Sequence, residues 1–195
     1  EKAASLRVGV STDANAHYGP VVSAAHKASI EKWIQTGVDE GAELLLDGRG
    51  FQLQGHENGF FVGPSLFDHV KPEMSSYQEE IFGPVLQVVR ADSLDEAAHL
   101  PSEHQYGNGV AIFTRNGLAA REFAKKVQVG MVGINVPIPV PVAYHSFGGW
   151  KRSLFGDLHA YGPDAVRFYT RRKAISQRWP RSQDRESAQF NFPSN

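Results

Sequence analysis

Between Val85 and Ile134 the apolar residues change their period several times, and no other feature constrains the fold as strongly. Val85-Leu86-Gln87-Val88-Val89 is a nearly continuous, β-branched run that suits a strand buried on both faces. Ser93, followed three residues later by Glu96, forms a capping box that opens a helix through Ala97, Ala98 and Leu100, which Pro101 closes. Gly109 to Thr114 reads as a strand, Leu118 to Val129 as a helix with Ala119, Phe123, Ala124 and Val127 on one side, and Met131 to Ile134 as a third strand. Strand, helix, strand, helix, strand is the pattern of βαβ units, so the predicted fold class is α/β, with a parallel twisted sheet flanked by helices.

Upstream, Val22, Ile30, Trp33, Ile34 and Val38 fall at helical offsets and predict an amphipathic helix. Glu43 to Leu46 and Gly59 to Phe67 read as strands, the second interrupted by Gly63-Pro64. Downstream, Pro163 to Tyr169 predicts a last helix, leading into a strand from Arg171 to Trp179. After Pro180 the polar residues Ser182, Gln183, Asp184, Ser187, Asn191 and Ser194 predict a flexible tail over 181–195.

Charge and composition exclude several functions. The 20 Lys and Arg against 21 Asp and Glu leave a net charge of −1, which argues against a dedicated nucleic-acid binder. Seven of those cations lie between Arg167 and Arg185, where they alternate with Phe168, Tyr169, Ala174, Ile175 and Trp179 as on an exposed strand. No run approaches the ~20 apolar residues of a membrane span, and the first residues lack the order of a secretory signal, so a cytoplasmic location is expected. There is no cysteine, hence no disulfide, thiolate metal site or cysteine nucleophile. The eight histidines lack the i, i+3 or i, i+4 pairing that sets two ligands on one helix face, and no metal site is expected. No glycine-rich dinucleotide loop, phosphate loop or serine elbow is present. The adjacent Glu79-Glu80 would point opposite ways on an extended chain, and Gly148-Gly149 would allow close backbone approach.

Three stretches carry a resemblance when taken in order. Glu79-Glu80-Ile81-Phe82-Gly83-Pro84-Val85, then Tyr106-Gly107 with Val110 to Thr114 and Gly130 to Asn135, then Phe147-Gly148-Gly149-Trp150-Lys151-Arg152-Ser153 resemble the C-terminal half of the aldehyde dehydrogenase superfamily. Tyr18 to Val22 and Gly37 to Leu46 resemble that family's segment after its nucleophile, so the likeness runs from about Leu6 to Trp179. Asn135-Val136-Pro137-Ile138-Pro139-Val140-Pro141 and Ser153-Leu154-Phe155-Gly156-Asp157 are similar to the CoA-acylating methylmalonate-semialdehyde dehydrogenases. Most of the superfamily has instead a Gly-x-Gly-Arg-Glu continuation after the serine. Ser146 stands where many relatives place proline.

The resemblance implies NAD-dependent oxidation of malonate or methylmalonate semialdehyde, with loss of the carboxylate as carbon dioxide and transfer of the acyl group to coenzyme A. It implies that Glu80 accepts hydrogen bonds from the nicotinamide ribose hydroxyls and that Phe82 packs beside the nicotinamide. Phe147 and Ile138 would line the substrate tunnel, the prolines around Ile138 stiffening its mouth. No catalytic residue is assigned to this chain, because the nucleophilic cysteine, the glycine-rich cofactor domain, the oxyanion-hole asparagine and the general-base glutamate all belong upstream of Leu6. The chain alone is accordingly expected to be inactive; the alternative reading is an assembly module for full-length relatives. Residues 1–165 would form the C-terminal part of the catalytic domain, and 166–180 the end of a helix and a strand that joins a homo-oligomer, a dimer or a tetramer.

Overall fold

The computed structural model describes residues 1–177 and residue 179. It has the α/β organisation predicted from sequence, with five α-helices, a short 3-10 turn at Ala3–Ser5 and seven strands described in two packed halves.

The first half is built on α1 (Ala24–Asp39), whose N-terminus is capped by Ser23: the serine Oγ accepts the His26 N–H at 3.1 Å. Ile30, Ile34 and Gly37 recur on one face of α1 and are buried there. They meet a three-stranded sheet of β1 (Glu43–Leu46), β2 (Ser65–Asp68) and β3 (Val85–Gln87). Phe67 of β2 is fully buried with Ile30, Ile34, Val62, Val70 and Met74. Each such side chain contributes about 1.5–3 kcal/mol relative to an exposed one. A Cβ on Gly37 would lie 3.1 Å from the Phe67 ring, so glycine at this point lets α1 approach the sheet closely. Tyr18 donates its hydroxyl to the Val62 carbonyl at 3.1 Å, and burial pushes the phenol up to about 12.

The second half packs α3 (Leu94–Glu103) and α4 (Gly117–Lys126) over the parallel pair β5 (Gly109–Ile112) and β6 (Met131–Ile134). Ala98, Phe123, Val127 and Val129 form its buried core, with Val110, Ile112 and Val132 against it. Ser93 caps α3 as the sequence suggests, its Oγ accepting the Glu96 N–H at 3.1 Å, while the Glu96 carboxylate reaches the Asp92 N–H at 2.8 Å. Asn116 caps α4 by accepting the N–H groups of Leu118 and Ala119. The two-stranded β4 (Tyr106–Gly107) and β7 (Trp150–Lys151) pair antiparallel, with Tyr106 opposite Lys151. A short α5 (Asp164–Tyr169) ends the regular structure described.

Several expectations are corrected. The strands form three small sheets rather than one parallel sheet, and β1 runs antiparallel to β2. The β3 run is not buried on both faces: it has a ladder partner on one side only, β2, and Leu86 is 60% exposed. Residues 59–64 stay outside β2, whose first residue follows Gly63-Pro64. Pro101 does not close α3, which continues to Glu103. The carbonyls left over at that end are taken by one ammonium: Lys151 Nζ donates to the carbonyls of Pro101, Ser102 and His104 at 3.1, 2.6 and 3.0 Å. Residues 171–177 form no strand; they are exposed and have no neighbouring strand among the described residues to complete a ladder. The tail expected over 181–195 lies outside the described residues.

Lys151 thus acts as a C-terminal cap for α3 supplied from another part of the chain. In a Lys151→Met variant we expect a loss of about 1 kcal/mol, discounted for the exposure of the side chain, read as a lower urea midpoint with unchanged slope. An unchanged midpoint would count against the cap.

Candidate functional site

The Glu79–Pro84 motif follows a single helical turn, α2 (Ser75–Gln78). Four residues are too few to hold a helix on their own, since one turn does not repay the cost of nucleation. Distant residues supply what the turn lacks. At its start the Glu40 carboxylate, just past the end of α1, accepts from the backbone and side chain of both Ser75 and Ser76. The Ser75 N–H lies at 2.7 Å, the Ser76 N–H at 3.1 Å and the Ser76 hydroxyl at 2.8 Å, with the Ser75 hydroxyl also bound. Ser76 is buried, so the carboxylate is its necessary partner.

Partial burial of Glu40 by itself pushes its carboxyl up, but these four hydrogen bonds outweigh it and hold the group at about 2, below the ordinary 4.5. Asp68 on β2 is also lowered to about 2, chiefly by the two-pronged contact with the Arg90 guanidinium, whose Nε lies 2.9 Å from one carboxylate oxygen. For both groups the proton binds more tightly to the unfolded chain. Their contribution is therefore complete above about pH 4.5 and is lost as the pH falls toward 2. We expect the melting temperature to fall over this window, and the fall to be shallower in Glu40→Gln; equal slopes in the two proteins would contradict the assignment.

Beyond α2 the chain is extended at Glu79, and Glu80 is exposed. Ile81 turns back against the core of the first half. Phe82 then takes a left-handed backbone, φ 55°, and its ring is 71% exposed, 6.1 Å from the His26 ring. A bulky aromatic pays for this conformation in strain, which marks it as a position held for a purpose. Gly83 is required where it stands: a Cβ there would lie 2.7 Å from the buried Ile30 side chain.

Glu80 borders an open cleft of about 430 Å³ whose other walls are Glu79, His104, Tyr106, Asn108, Arg152 and Ser153. Glu79 and Glu80 both border this cleft, and Glu79 alone of the two also borders the neighbouring one beside Pro72 and His99. The Arg152 guanidinium lies 5.5 Å above the centre of the Tyr106 ring and donates to the Gln105 side chain. Unlike Glu40, the Glu80 carboxylate is engaged by no donor among the described residues, so its acceptor capacity is available to a ligand.

Phe147 and Ile138 lie elsewhere. Phe147 is half-buried and stacks on Tyr161, ring centres 4.6 Å apart and planes at 16°. Ile138 is 71% exposed in the proline-rich loop, where Pro139 packs over Gly109 of β5 and Gly133 of β6. Neither borders the cleft that holds Glu80.

Residues 1–175 match the aldehyde dehydrogenase family. The chain belongs to that family. It is 64% identical over 190 residues to a malonate-semialdehyde dehydrogenase of Pseudomonas aeruginosa, covering 97% of this chain and 38% of that one. Its fold matches a methylmalonate-semialdehyde dehydrogenase from Oceanimonas doudoroffii with a TM-score of 0.86 at 60% identity, over 95% of this chain and 38% of the other. A similar protein from Sinorhizobium meliloti, solved with NAD, matches with a TM-score of 0.86 at 56% identity, over 93% and 37%. This aldehyde dehydrogenase chain thus spans less than two-fifths of the length of these relatives.

In this aldehyde dehydrogenase segment, Glu80 and Phe82 stand out from the sequence through their motif, whereas the opposite wall of the cleft does not. Arg152, Ser153 and Tyr106 belong to recognised stretches, yet nothing in their spacing signals that β4 and β7 bring them against Glu79 and Glu80. His104 and Asn108 carried no sequence signal at all.

Proposed function

We propose that this chain forms the C-terminal part of an NAD-dependent semialdehyde dehydrogenase, acting on malonate or methylmalonate semialdehyde and passing the acyl group to coenzyme A with release of carbon dioxide. The observation that carries this is Glu80: an exposed, uncommitted carboxylate at the lip of a cleft, fixed between a clamped helical turn and a core-packed Ile81. A carboxylate accepts from two hydroxyls at once, which suits a ribose diol, and each such bond contributes about 1.5–3 kcal/mol. Phe82, held outward by its left-handed backbone, offers an apolar face to the nicotinamide beside that sugar. The dinucleotide, when bound, takes a hydride from the aldehyde carbon. The similarity to semialdehyde dehydrogenases, one of them solved with NAD, supports both the dinucleotide and the semialdehyde.

The chain has no cysteine, so the thiolate that attacks the aldehyde must come from outside these 195 residues. Phe147, stacked on Tyr161, and Ile138 on the proline loop would line the route of the substrate. Residues 1–165 would belong to the catalytic domain and 166–180 to a homo-oligomer contact. Exposed Val166 and Tyr169 on α5 favour that contact, and they equally favour the second reading, an assembly module without turnover of its own.

The test is an in-frame fusion of the full chain behind the upstream portion of the P. aeruginosa relative. We expect the fusion to reduce NAD in the presence of malonate semialdehyde and coenzyme A, and the chain alone to give no rate. Glu80→Gln in the fusion should raise the KM for NAD at least about tenfold with little change in the KM for the semialdehyde. A fusion that folds, binds no dinucleotide and joins full-length relatives would favour the assembly module.

A further inference from the structure

We infer that His104 is a positioning residue for Glu80, acting through the backbone at the end of α2; this rests on the reading of Glu80 as the dinucleotide contact. The last four carbonyls of a helix have no partner within it, and α2 consists of only four residues, so every one of its carbonyls needs a donor. Ser75 is served by the Glu79 N–H at 3.0 Å and Ser76 by Gln87 Nε2 at 2.9 Å. Tyr77 and Gln78, the pair directly before Glu79-Glu80, are served by two consecutive residues, His104 on the wall of the cleft and Gln105 beside it. The His104 ring bonds the Tyr77 carbonyl at 3.1 Å, and Gln105 Nε2 bonds the Gln78 carbonyl at 2.8 Å.

The ring is used at both nitrogens. His104 Nδ1 accepts the Tyr106 N–H at 3.1 Å, which places the proton on Nε2 and makes Nε2 the donor to Tyr77. The ring also packs edge-on against the Tyr77 side chain, centres 5.1 Å apart. His104 is therefore a strut between two backbones, and the side it stands on is the more firmly held. The His104 carbonyl is one of the three gripped by Lys151 Nζ, the Arg152 N–H donates to the Gln105 carbonyl at 3.2 Å, and the Gly107 N–H donates to Ser153 Oγ at 3.1 Å. On the far side of Glu80 the chain is fixed by Ile81 in the core and Gly83 against Ile30. Glu80 thus spans two anchors, and His104 with Gln105 makes the upstream one. Sub-ångström placement of a binding carboxylate decides how well it meets both hydroxyls of a diol, and a displacement of about 1 Å is enough for large losses.

The test compares His104→Ala, His104→Gln and His104→Asn in the fusion protein, alone and combined with Glu80→Ala. Glutamine places an amide N–H near the position of Nε2, whereas asparagine replaces only the acceptor at Nδ1. NAD affinity by calorimetry should fall about tenfold in His104→Ala, return largely in His104→Gln, and stay low in His104→Asn. In the Glu80→Ala background the same His104 changes should have no further effect, because the strut then has nothing to place. A readout without cofactor accompanies this: in the full chain, His104→Ala should speed hydrogen exchange at the Glu79 amide and leave the amides of β5 unchanged. Unaltered NAD affinity in His104→Ala alongside a loss in Glu80→Ala would overturn the positioning role, and so would losses that simply add. Glu80→Ala with undiminished affinity would overturn the reading of Glu80 itself and the inference that rests on it.

Discussion

A Gly130→Ala chain is expected to be destabilised by about 3–5 kcal/mol, with a melting temperature about 10 °C lower. The Cβ would stand 2.0 Å from the Gly148 carbonyl oxygen and 2.9 Å from the Gly148 and Gly149 carbonyl carbons. These are backbone atoms, with no flexible side chain to move aside. Gly148 has φ 155°, and a Cβ on it would lie 2.7 Å from the His159 ring, so the partner segment of the crossing needs glycine as well. The Phe147-Gly148-Gly149 motif therefore works as a close backbone crossing between the start of β6 and β7. Gly19→Ala is the matched control, because its nearest atom, the Gly9 carbonyl oxygen, lies at an ordinary 3.7 Å. Thermal melts of the two variants decide the point: a Gly130→Ala protein as stable as Gly19→Ala would show that the crossing is not tight.

Glu40→Ala is expected to be the second large effect, a loss of about 2–4 kcal/mol concentrated in one place. Removing the carboxylate strips the partner from both backbone donors at the start of α2 and from both serine hydroxyls, one of them on buried Ser76. An unpaired buried donor costs more than the hydrogen bond contributed, because water does not take the vacated place. We expect the amides of Ser75, Ser76 and Glu79 to lose protection in native-state hydrogen exchange, while those of α4 are slowed as in the parent chain. A uniform change across both halves would mean that Glu40 serves general stability rather than this turn.

The contrast between α1 and α2 explains what is legible in the sequence. The face formed by Ile30 and Ile34 repeats at helical spacing and is read directly, as are the β5, α4 and β6 segments, whose periodicity is long enough to distinguish helix from strand. Nothing local specifies Ser75–Gln78 as helical; the turn exists because Glu40, Gln87, His104 and Gln105 converge on it from distant parts of the chain. Pro101 was a reasonable stop signal, but Lys151, 50 residues later, takes up the orphaned carbonyls and the helix runs past it. The sheet departs from its composition for a related reason: the Val85–Val89 run has the composition of a central strand, while its surroundings among the described residues give it a single neighbour. The same distinction holds at the site. Glu80 and Phe82 are marked by their motif, while the geometry that exposes one at a cleft and turns the other outward through a left-handed backbone comes from Ile81, Gly83 and the clamped turn.

The most direct measurement is a crystal structure of the fusion protein with NAD bound. We expect both Glu80 carboxylate oxygens within about 3 Å of the two hydroxyls of the nicotinamide ribose, with His104 still bonded to the Tyr77 carbonyl. A ribose held by other residues, with Glu80 turned across the cleft toward Arg152, would contradict it.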